Sequence, residues 1–150
     1  MQKITFFLFA TIFALSSFAQ PGNPVNWTFS AKKLAGNKYE LRMSANLSKP
    51  WHIYSQKTPD GGPEPTQFTF NPNALVTHTG TPTEKGKLQK IHDKNFGVDV
   101  LFYSNNVDFV QIVTVKAAIK TNISGKVYYM VCDDSKCLPP TEVPFNIALK

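Results

Sequence analysis

Apolar and polar residues alternate with a period of two along much of this chain. Over residues 39–47 every second residue is apolar, and the residues between them are polar or charged. The same alternation recurs over residues 113–119 and again over residues 145–149. A period of two is typical of β-strands with one buried and one solvated face. Further strand candidates cover residues 25–31, 51–54, 66–70, 74–79, 98–103 and 125–132.

Turn-forming residues separate these segments and argue against long helices. Clusters of glycine, asparagine, serine or proline occur at residues 36–37, 48–50, 59–63, 71–73 and 105–106. The eleven prolines are spread along the chain, and proline is poorly tolerated inside helices. Short strands at this spacing predict an all-β protein with an immunoglobulin-like β-sandwich. We expect residues 79–90 to form a polar loop and residues 20–150 to form one domain.

The first nineteen residues have the pattern of a secretory signal peptide. Lys3 gives a basic start, residues 4–15 are largely apolar, and Ser17 and Ala19 are small residues where a signal peptidase reads. The apolar run is too short to span a bilayer, so we expect cleavage after Ala19, with an uncleaved N-terminal anchor as the alternative. In an exported protein, two cysteine thiols that lie close together become oxidised to a disulfide unless something keeps reducing them. We therefore expect this protein to be exported.

The formal net charge of +6 changes this picture little, because the basic residues are scattered. The nearest approach to a basic run, over residues 84–94, contains Glu84 and Asp93 and is typical of a solvated segment. No basic stripe interleaved with aromatic residues suggests a nucleic-acid partner. A basic surface can favour docking to an acidic protein partner. We expect a monomer that binds no nucleic acid.

Cys132 and Cys137 are the only cysteines, and four residues separate them. A disulfide between them closes a ring of about six residues, which stabilises a fold by only ~2 kcal/mol. So weak a crosslink, in a chain long enough to have a sizeable core, favours a disulfide that is made and broken. The redox-active disulfide then needs no further cofactor.

The cysteine pair is predicted to lie at the tip of a hairpin. Residues 125–132 form a strand that ends at the first cysteine, residues 133–136 form a polar turn, and residues 141–149 form the partner strand. Pro139 and Pro140 stiffen the exit from the turn. Both thiols are expected to be exposed at the tip, where an incoming thiolate can approach in line. Alternation predicts one shared face for three residues: Tyr128, Met130 and Cys132.

The charges next to the two cysteines differ. Asp133 and Asp134 follow Cys132 and disfavour its thiolate, whereas Lys136 precedes Cys137 and favours a thiolate there. This asymmetry indicates Cys137 as the exchanging sulfur and Cys132 as the resolving one.

Three other interpretations compete on the residues alone. The disulfide can be purely structural, which would make the chain a non-catalytic immunoglobulin-like binding module. A copper(I) carrier is the second, because Met130, Cys132 and Cys137 are soft sulfur ligands. None of the three histidines lies close to them in sequence, and we expect no metal site. A Cys–His hydrolase is disfavoured, because no nucleophile motif surrounds either cysteine.

Three segments of the chain resemble the N-terminal periplasmic domain of the DsbD family of thiol:disulfide interchange proteins. Residues 129–142, with two cysteines followed closely by Pro139-Pro140, are similar to the active-site hairpin of that domain. Trp51-His52-Ile53-Tyr54 is similar to its aromatic segment. Asp93-Lys94-Asn95-Phe96-Gly97 is similar to its cap loop, in which an aromatic ring covers the disulfide.

The resemblance implies an immunoglobulin-like sandwich, a location in the periplasm and a role in electron transfer. It implies that Cys137 forms mixed disulfides, that Cys132 resolves them, and that Phe96 shields the pair until a partner displaces it. A thioredoxin-like donor would supply the electrons. Periplasmic thioredoxin-fold clients, which serve disulfide isomerisation and cytochrome c maturation, would receive them.

The chain also departs from the family pattern. The family domain has five residues between its cysteines, and its cap loop has two adjacent acidic residues where this chain has Asp93 and Lys94. The chain ends at Lys150 without a membrane-spanning or thioredoxin segment, so we expect a stand-alone domain that takes electrons from a separate membrane reductase.

Seven residues are expected to support the site, several of them by packing: Trp51, His52, Tyr54, Tyr128, Met130, Lys136 and Pro139.

Overall fold

The computed structural model describes residues 22–94, 96–116 and 119–150. These residues form no helix and eleven strands: β1 (Val25–Lys33), β2 (Lys38–Leu47), β3 (His52–Tyr54), β4 (Gln67–Phe70), β5 (Val76–Gly86), β6 (Gln89–Asp93), β7 (Val98–Ser104), β8 (Asn106–Val115), β9 (Thr121–Tyr129), β10 (Val131–Cys132) and β11 (Thr141–Leu149). No described segment is a helix long and apolar enough to cross a membrane. The expected signal peptide, residues 1–19, lies outside the described residues.

The strands form three antiparallel sheets that build an immunoglobulin-like sandwich. The first sheet has the order β1-β2-β8-β5, the second β10-β3-β7-β6 and the third β11-β9-β4. Aromatic rings join the first sheet to the third: Trp27 of β1 lies 5.4 Å from the ring of Tyr129 in β9, and Phe29 lies 5.2 Å from the ring of Phe145 in β11. Such large rings bury much apolar area at the core between layers. The prediction of an all-β sandwich is confirmed.

The core contains the apolar positions of the strands whose sequences alternate most regularly. In β2, all five apolar positions over residues 39–47 are buried. In β11, Phe145, Ile147 and Leu149 are buried while the residues between them are exposed. Alternation predicts these strands well because each has one face on the core and one in solvent.

The strand predicted over residues 113–119 is displaced in the structure. β8 begins at Asn106 and ends at Val115, and Ile119 is 48% exposed. Ala117 lies outside the described residues. β8 lies between β2 and β5 and buries every second residue from Val107 to Val115, with Val110 in addition. The alternation in sequence runs on to residue 119, but the pairing of β8 with its neighbours ends at Val115.

The prediction of a polar loop over residues 79–90 was wrong. β5 continues to Gly86, and β6 begins at Gln89. The pairing of β5 with β8 shifts register between Thr79 and Thr83, where Gly80 adopts a φ of 67°. Both strands lie at sheet edges, where polar residues on either face stay solvated, so neither shows a hydrophobic period.

The predicted continuous strand over residues 125–132 changes sheets at Met130. β9 pairs with β11 and β4 in the third sheet, whereas β10 pairs with β3 in the second. Tyr129 therefore enters the main core, while Met130 and Cys132 pack in a second cluster on the outer face of the second sheet. Tyr128 belongs to neither cluster, so the predicted shared face of Tyr128, Met130 and Cys132 is wrong for Tyr128.

The carboxylate of Glu84 ties the second sheet to β5. It accepts hydrogen bonds from Ser55 Oγ at 2.8 Å, from the Gln56 backbone N–H at 2.7 Å and from the Tyr103 hydroxyl at 2.7 Å. Ser55 follows β3 and is fully buried. Burial of the Tyr103 phenol, together with its hydrogen bond to Glu84, raises the pKa of Tyr103. The Glu84 carboxylate thus stabilises the strands that lie beneath the cysteine hairpin.

We expect Glu84→Ala to lower the free energy of unfolding by about 2–4 kcal/mol, because buried Ser55 and two further donors lose a charged acceptor. Glu64→Ala is the matched control, since Glu64 is exposed in the segment between β3 and β4. Urea unfolding of both variants measures the difference. Equal losses within about 0.5 kcal/mol in the two variants would contradict this role of Glu84.

Candidate redox site

Cys132 and Cys137 form a disulfide across a tight hairpin. Their Cα atoms lie 4.0 Å apart, and the two residues face each other as an antiparallel bridge. Backbone hydrogen bonds from Asp133 to Lys136 and from Leu138 to Val131 close the hairpin on both sides of this bridge. The predicted position of the cysteine pair at a hairpin tip is confirmed.

The two cysteines differ sharply in exposure. Cys137 is exposed, whereas Cys132 is 2% exposed, so the expectation of two exposed thiols is wrong for Cys132. Cys132 packs with Tyr54, Val100 and Phe102 on the outer face of the second sheet. A partner thiol from solvent can therefore reach the sulfur of Cys137 much more easily than that of Cys132.

Asp133 shapes the turn between the cysteines. Its Oδ1 atom accepts hydrogen bonds from the backbone N–H of Ser135, the hydroxyl of Ser135 and the backbone N–H of Lys136, each at 2.8 Å. These donors, first the N–H of Ser135, stabilise the carboxylate and lower the pKa of Asp133. A side chain that bonds to the backbone two and three residues further on is a common turn device of aspartate.

A cleft of about 450 Å³ lies beside the disulfide and brings together the three segments that suggested the family. Its lining comes from the hairpin, from β3, from β6 with the following cap loop, and from β7. The lining residues are His52, Tyr54, Ile91, Asp93, Phe96, Val100 and Cys132 to Cys137. A larger open groove of about 670 Å³ lies between β4 and β5 and contains no residue that the sequence indicated for the site.

The cap loop lines the same cleft as the cysteine hairpin. It turns tightly after β6, with the Gly97 N–H donating to the Asp93 carbonyl at 2.7 Å and the Phe96 N–H donating to Asp93 Oδ1 at 3.3 Å. Gly97 has a φ of 69°, a conformation that glycine adopts without strain. Phe96 is 42% exposed and lines the cleft, while Asn95 lies outside the described residues.

His52 and Tyr54 form the β3 wall of the cleft. The Nε2 atom of His52 lies 3.2 Å from the Tyr54 hydroxyl, and its ring lies 4.8 Å from the ring of Phe102. Burial lowers the pKa of His52, and the carboxylates of Asp134, Asp133 and Asp93 oppose that shift. Burial, with a smaller effect of Asp93, raises the pKa of Tyr54 to about 12. At neutral pH the imidazole is therefore neutral and the phenol protonated.

Of the remaining expected residues, Lys136 lines the cleft, whereas Trp51, Tyr128, Met130 and Pro139 do not. The Lys136 ammonium lies 5.9 Å from the centre of the Trp51 ring, a cation–π contact, and Trp51 packs against the main core. Pro139 is exposed behind the hairpin, beside a separate cavity of about 270 Å³. Tyr128 lines neither space.

Sequence reasoning missed Ile91 and Val100 as lining residues. Ile91 is 48% exposed in an edge strand, next to the segment that was predicted to be a loop. The sequence signal that could have indicated Ile91 is an isoleucine within an otherwise polar segment. The described part of the chain holds no group of three or more His, Cys, Asp or Glu side chains arranged to bind a metal ion.

We expect Asp133→Ala to make the disulfide easier to reduce. The turn that holds Cys137 opposite Cys132 loses three hydrogen bonds, so the equilibrium with glutathione should shift toward the dithiol by roughly tenfold. Asp134→Ala is the control: it removes the neighbouring carboxylate, for which the described residues show no hydrogen bond. Equal shifts in the two variants would contradict the turn mechanism and indicate a general effect of charge.

Two DsbD N-terminal domains are among the solved structures that share this fold. The reduced form of the DsbD N-terminal domain of Neisseria meningitidis is 16% identical, with 80% of this chain and 84% of that chain covered and a TM-score of 0.53. The DsbD N-terminal domain in complex with the PilB N-terminal domain, from the same organism, is 15% identical, with 87% of each chain covered and a TM-score of 0.52. At such identities the likeness establishes the fold alone.

The sequence comparison assigns the family directly. No curated protein sequence matches the chain. Residues 20–148 match the family described as the N-terminal domain of the thiol:disulfide interchange protein DsbD. This match covers all three segments that line the cleft beside the disulfide. The chain therefore belongs to the family of DsbD N-terminal domains.

Proposed function

We propose that this protein is a periplasmic thiol–disulfide exchange module that relays electrons through Cys132 and Cys137. It takes electrons from a membrane reductase or a thioredoxin-like donor. It passes them to periplasmic thioredoxin-fold clients, including those of disulfide isomerisation and cytochrome c maturation. The observation that carries this proposal is the exposed Cys137 bonded to a buried Cys132 beside an open cleft.

The difference in exposure suits the two steps of dithiol exchange. In the reduced protein, the Cys137 thiolate attacks the client disulfide, and one client sulfur leaves and takes up a proton. Cys132 then loses its proton and attacks the Cys137 sulfur, which releases the second client sulfur. The client gains two electrons and two protons, and the Cys132–Cys137 disulfide forms again. The two reacting sulfurs must approach each other closely in such an exchange, which favours the exposed Cys137 as the site of the mixed disulfide.

Two further observations support a protein partner. The solved complex of the related Neisseria domain with the PilB N-terminal domain is an example of such a sandwich binding another protein domain. In this chain, the cleft is bordered by exposed apolar side chains of Ile91 and Phe96, which a docking domain can cover. In this proposal the disulfide is the only redox group, and the protein acts without a bound cofactor.

We expect Cys132→Ala to trap mixed disulfides with thioredoxin-fold proteins of the periplasm. Without the resolving thiol, the bond between Cys137 and a partner persists and survives non-reducing electrophoresis. Cys137→Ala is the matched control and should trap far less, because Cys132 is buried. Equal trapping by both variants would contradict the division of roles. Absence of any thioredoxin-fold partner from the Cys132→Ala sample would contradict the function.

We propose that Phe96 shields the cysteine pair, because it lines the same cleft as both cysteines. Phe96→Ala should therefore speed reaction of the reduced pair with a small disulfide oxidant several-fold. Leu88→Ala is the control, since Leu88 is a similarly exposed apolar residue that does not line the cleft. Stopped-flow absorbance measures both rates, and an equal rate in the two variants would exclude a shielding role.

A further inference from the structure

His52 lies directly across the sheet from the buried cysteine. In the pairing of β10 with β3, Cys132 is the register partner of His52. Side chains of directly opposed residues project from the same face, with Cβ atoms about 4.5–5.5 Å apart. Both residues line the same cleft, and Tyr54, two residues along β3, lies on the same face in contact with the cluster that holds Cys132. The fold therefore places an imidazole next to the less accessible sulfur.

The buried position of Cys132 creates a chemical need at this point. The resolving step requires the thiolate of Cys132, because the thiol is a poor nucleophile. Burial and the nearby carboxylates of Asp133, Asp134 and Asp93 all favour the protonated thiol. Water also has little access to a side chain that is 2% exposed. A base within the cleft has to take the proton if resolution is to be fast at neutral pH.

The surroundings of His52 suit that task. Burial keeps the imidazole neutral at neutral pH, so it can accept a proton. Once protonated, it is stabilised by the carboxylates of Asp134, Asp133 and Asp93, which face it from the hairpin and from β6. The Tyr54 hydroxyl, 3.2 Å from Nε2, fixes the ring orientation. In the tautomer that the proposal requires, Nε2–H donates to the Tyr54 oxygen, and Nδ1 is the nitrogen that accepts the proton.

The other neighbours of His52 do not compete for this proton. On β7, the ring of Phe102 and the register partner Ser104 are uncharged. Lys136, the cation of the hairpin, lies over the ring of Trp51. Tyr54, with a pKa of about 12, stays protonated near neutral pH.

We propose that His52 is the proton acceptor for the Cys132 thiol in the resolving step, an inference that rests on the exchange function proposed above. The S–H bond of Cys132 breaks, its proton moves to the imidazole, and the sulfur electron pair forms the bond to the Cys137 sulfur. The bond between Cys137 and the client sulfur breaks at the same time. The departing client thiolate takes the proton from the imidazolium, which restores neutral His52. In the reverse direction, His52 donates that proton to the Cys132 thiolate.

The test isolates the resolving step with a chromogenic aromatic disulfide as the oxidant. The reduced protein first forms a mixed disulfide at Cys137 and releases one coloured thiolate, and attack by Cys132 then releases the second. His52→Ala should slow the second release by about tenfold or more at pH 7 and leave the first nearly unchanged. The wild-type rate should fall as pH drops below neutral, because His52 becomes protonated. The rate of the variant should instead keep rising toward alkaline pH, as the thiol itself ionises.

Two further samples separate proton transfer from a structural effect. His52→Gln keeps a polar side chain of similar size and should be as slow as His52→Ala, and added imidazole should partly restore the rate of His52→Ala. His92→Ala is the matched control, because His92 is exposed, bonds to Asp99 at 3.0 Å and does not line the cleft. It should react like the wild type.

The outcomes distinguish this inference from the function on which it rests. Release of two coloured thiolates at a rate and pH profile that His52→Ala and His52→Gln leave unchanged would overturn the role of His52 alone. Release of only one coloured thiolate by the wild type would overturn the resolving role of Cys132 and the inference together.

Discussion

The pairing of β10 with β3 is the contact on which the geometry of the site depends. β9 runs within the third sheet up to Tyr129, and the chain then crosses to the second sheet, where Val131 and Cys132 pair with Ile53 and His52. Because side chains alternate along a strand, Val131 enters the main core and Cys132 faces the outer cluster. The hairpin that follows is thereby held over the cleft rather than over the sandwich core.

This crossing separates the two cysteines by environment even though they are close in sequence. Cys132 belongs to a packed sheet surface, whereas Cys137 lies on the solvent side of a turn organised by Asp133. The arrangement gives the pair a rigid inner sulfur and an accessible outer one. The cap loop and β3 complete the cleft around them, and the hydrogen bonds of Glu84 hold β5 against the segment that follows β3.

The parts of the fold that sequence reasoning predicted are those in which burial follows directly from the chain pattern. β2 and β11 alternate because each covers the core with one face. The start of β5 was predicted as a strand over residues 74–79, but the rest of β5 and all of β6 were taken for a loop. Edge strands keep polar residues on both faces, so this segment shows no hydrophobic period. The strand predicted over residues 113–119 was displaced, because alternation in sequence continued beyond the point where pairing ends at Val115.

For the site, the chain alone determined the chemistry and the local shape: two cysteines, a polar turn between them and a hairpin that brings them together. These features depend on residues that are close together in the sequence, so the sequence alone is enough to predict them. Tertiary structure decided which cysteine is buried, which face of the second sheet it occupies and that His52 is its partner across the strands. Those properties depend on pairing between residues far apart in the chain, where one residue of register moves a side chain to the opposite face.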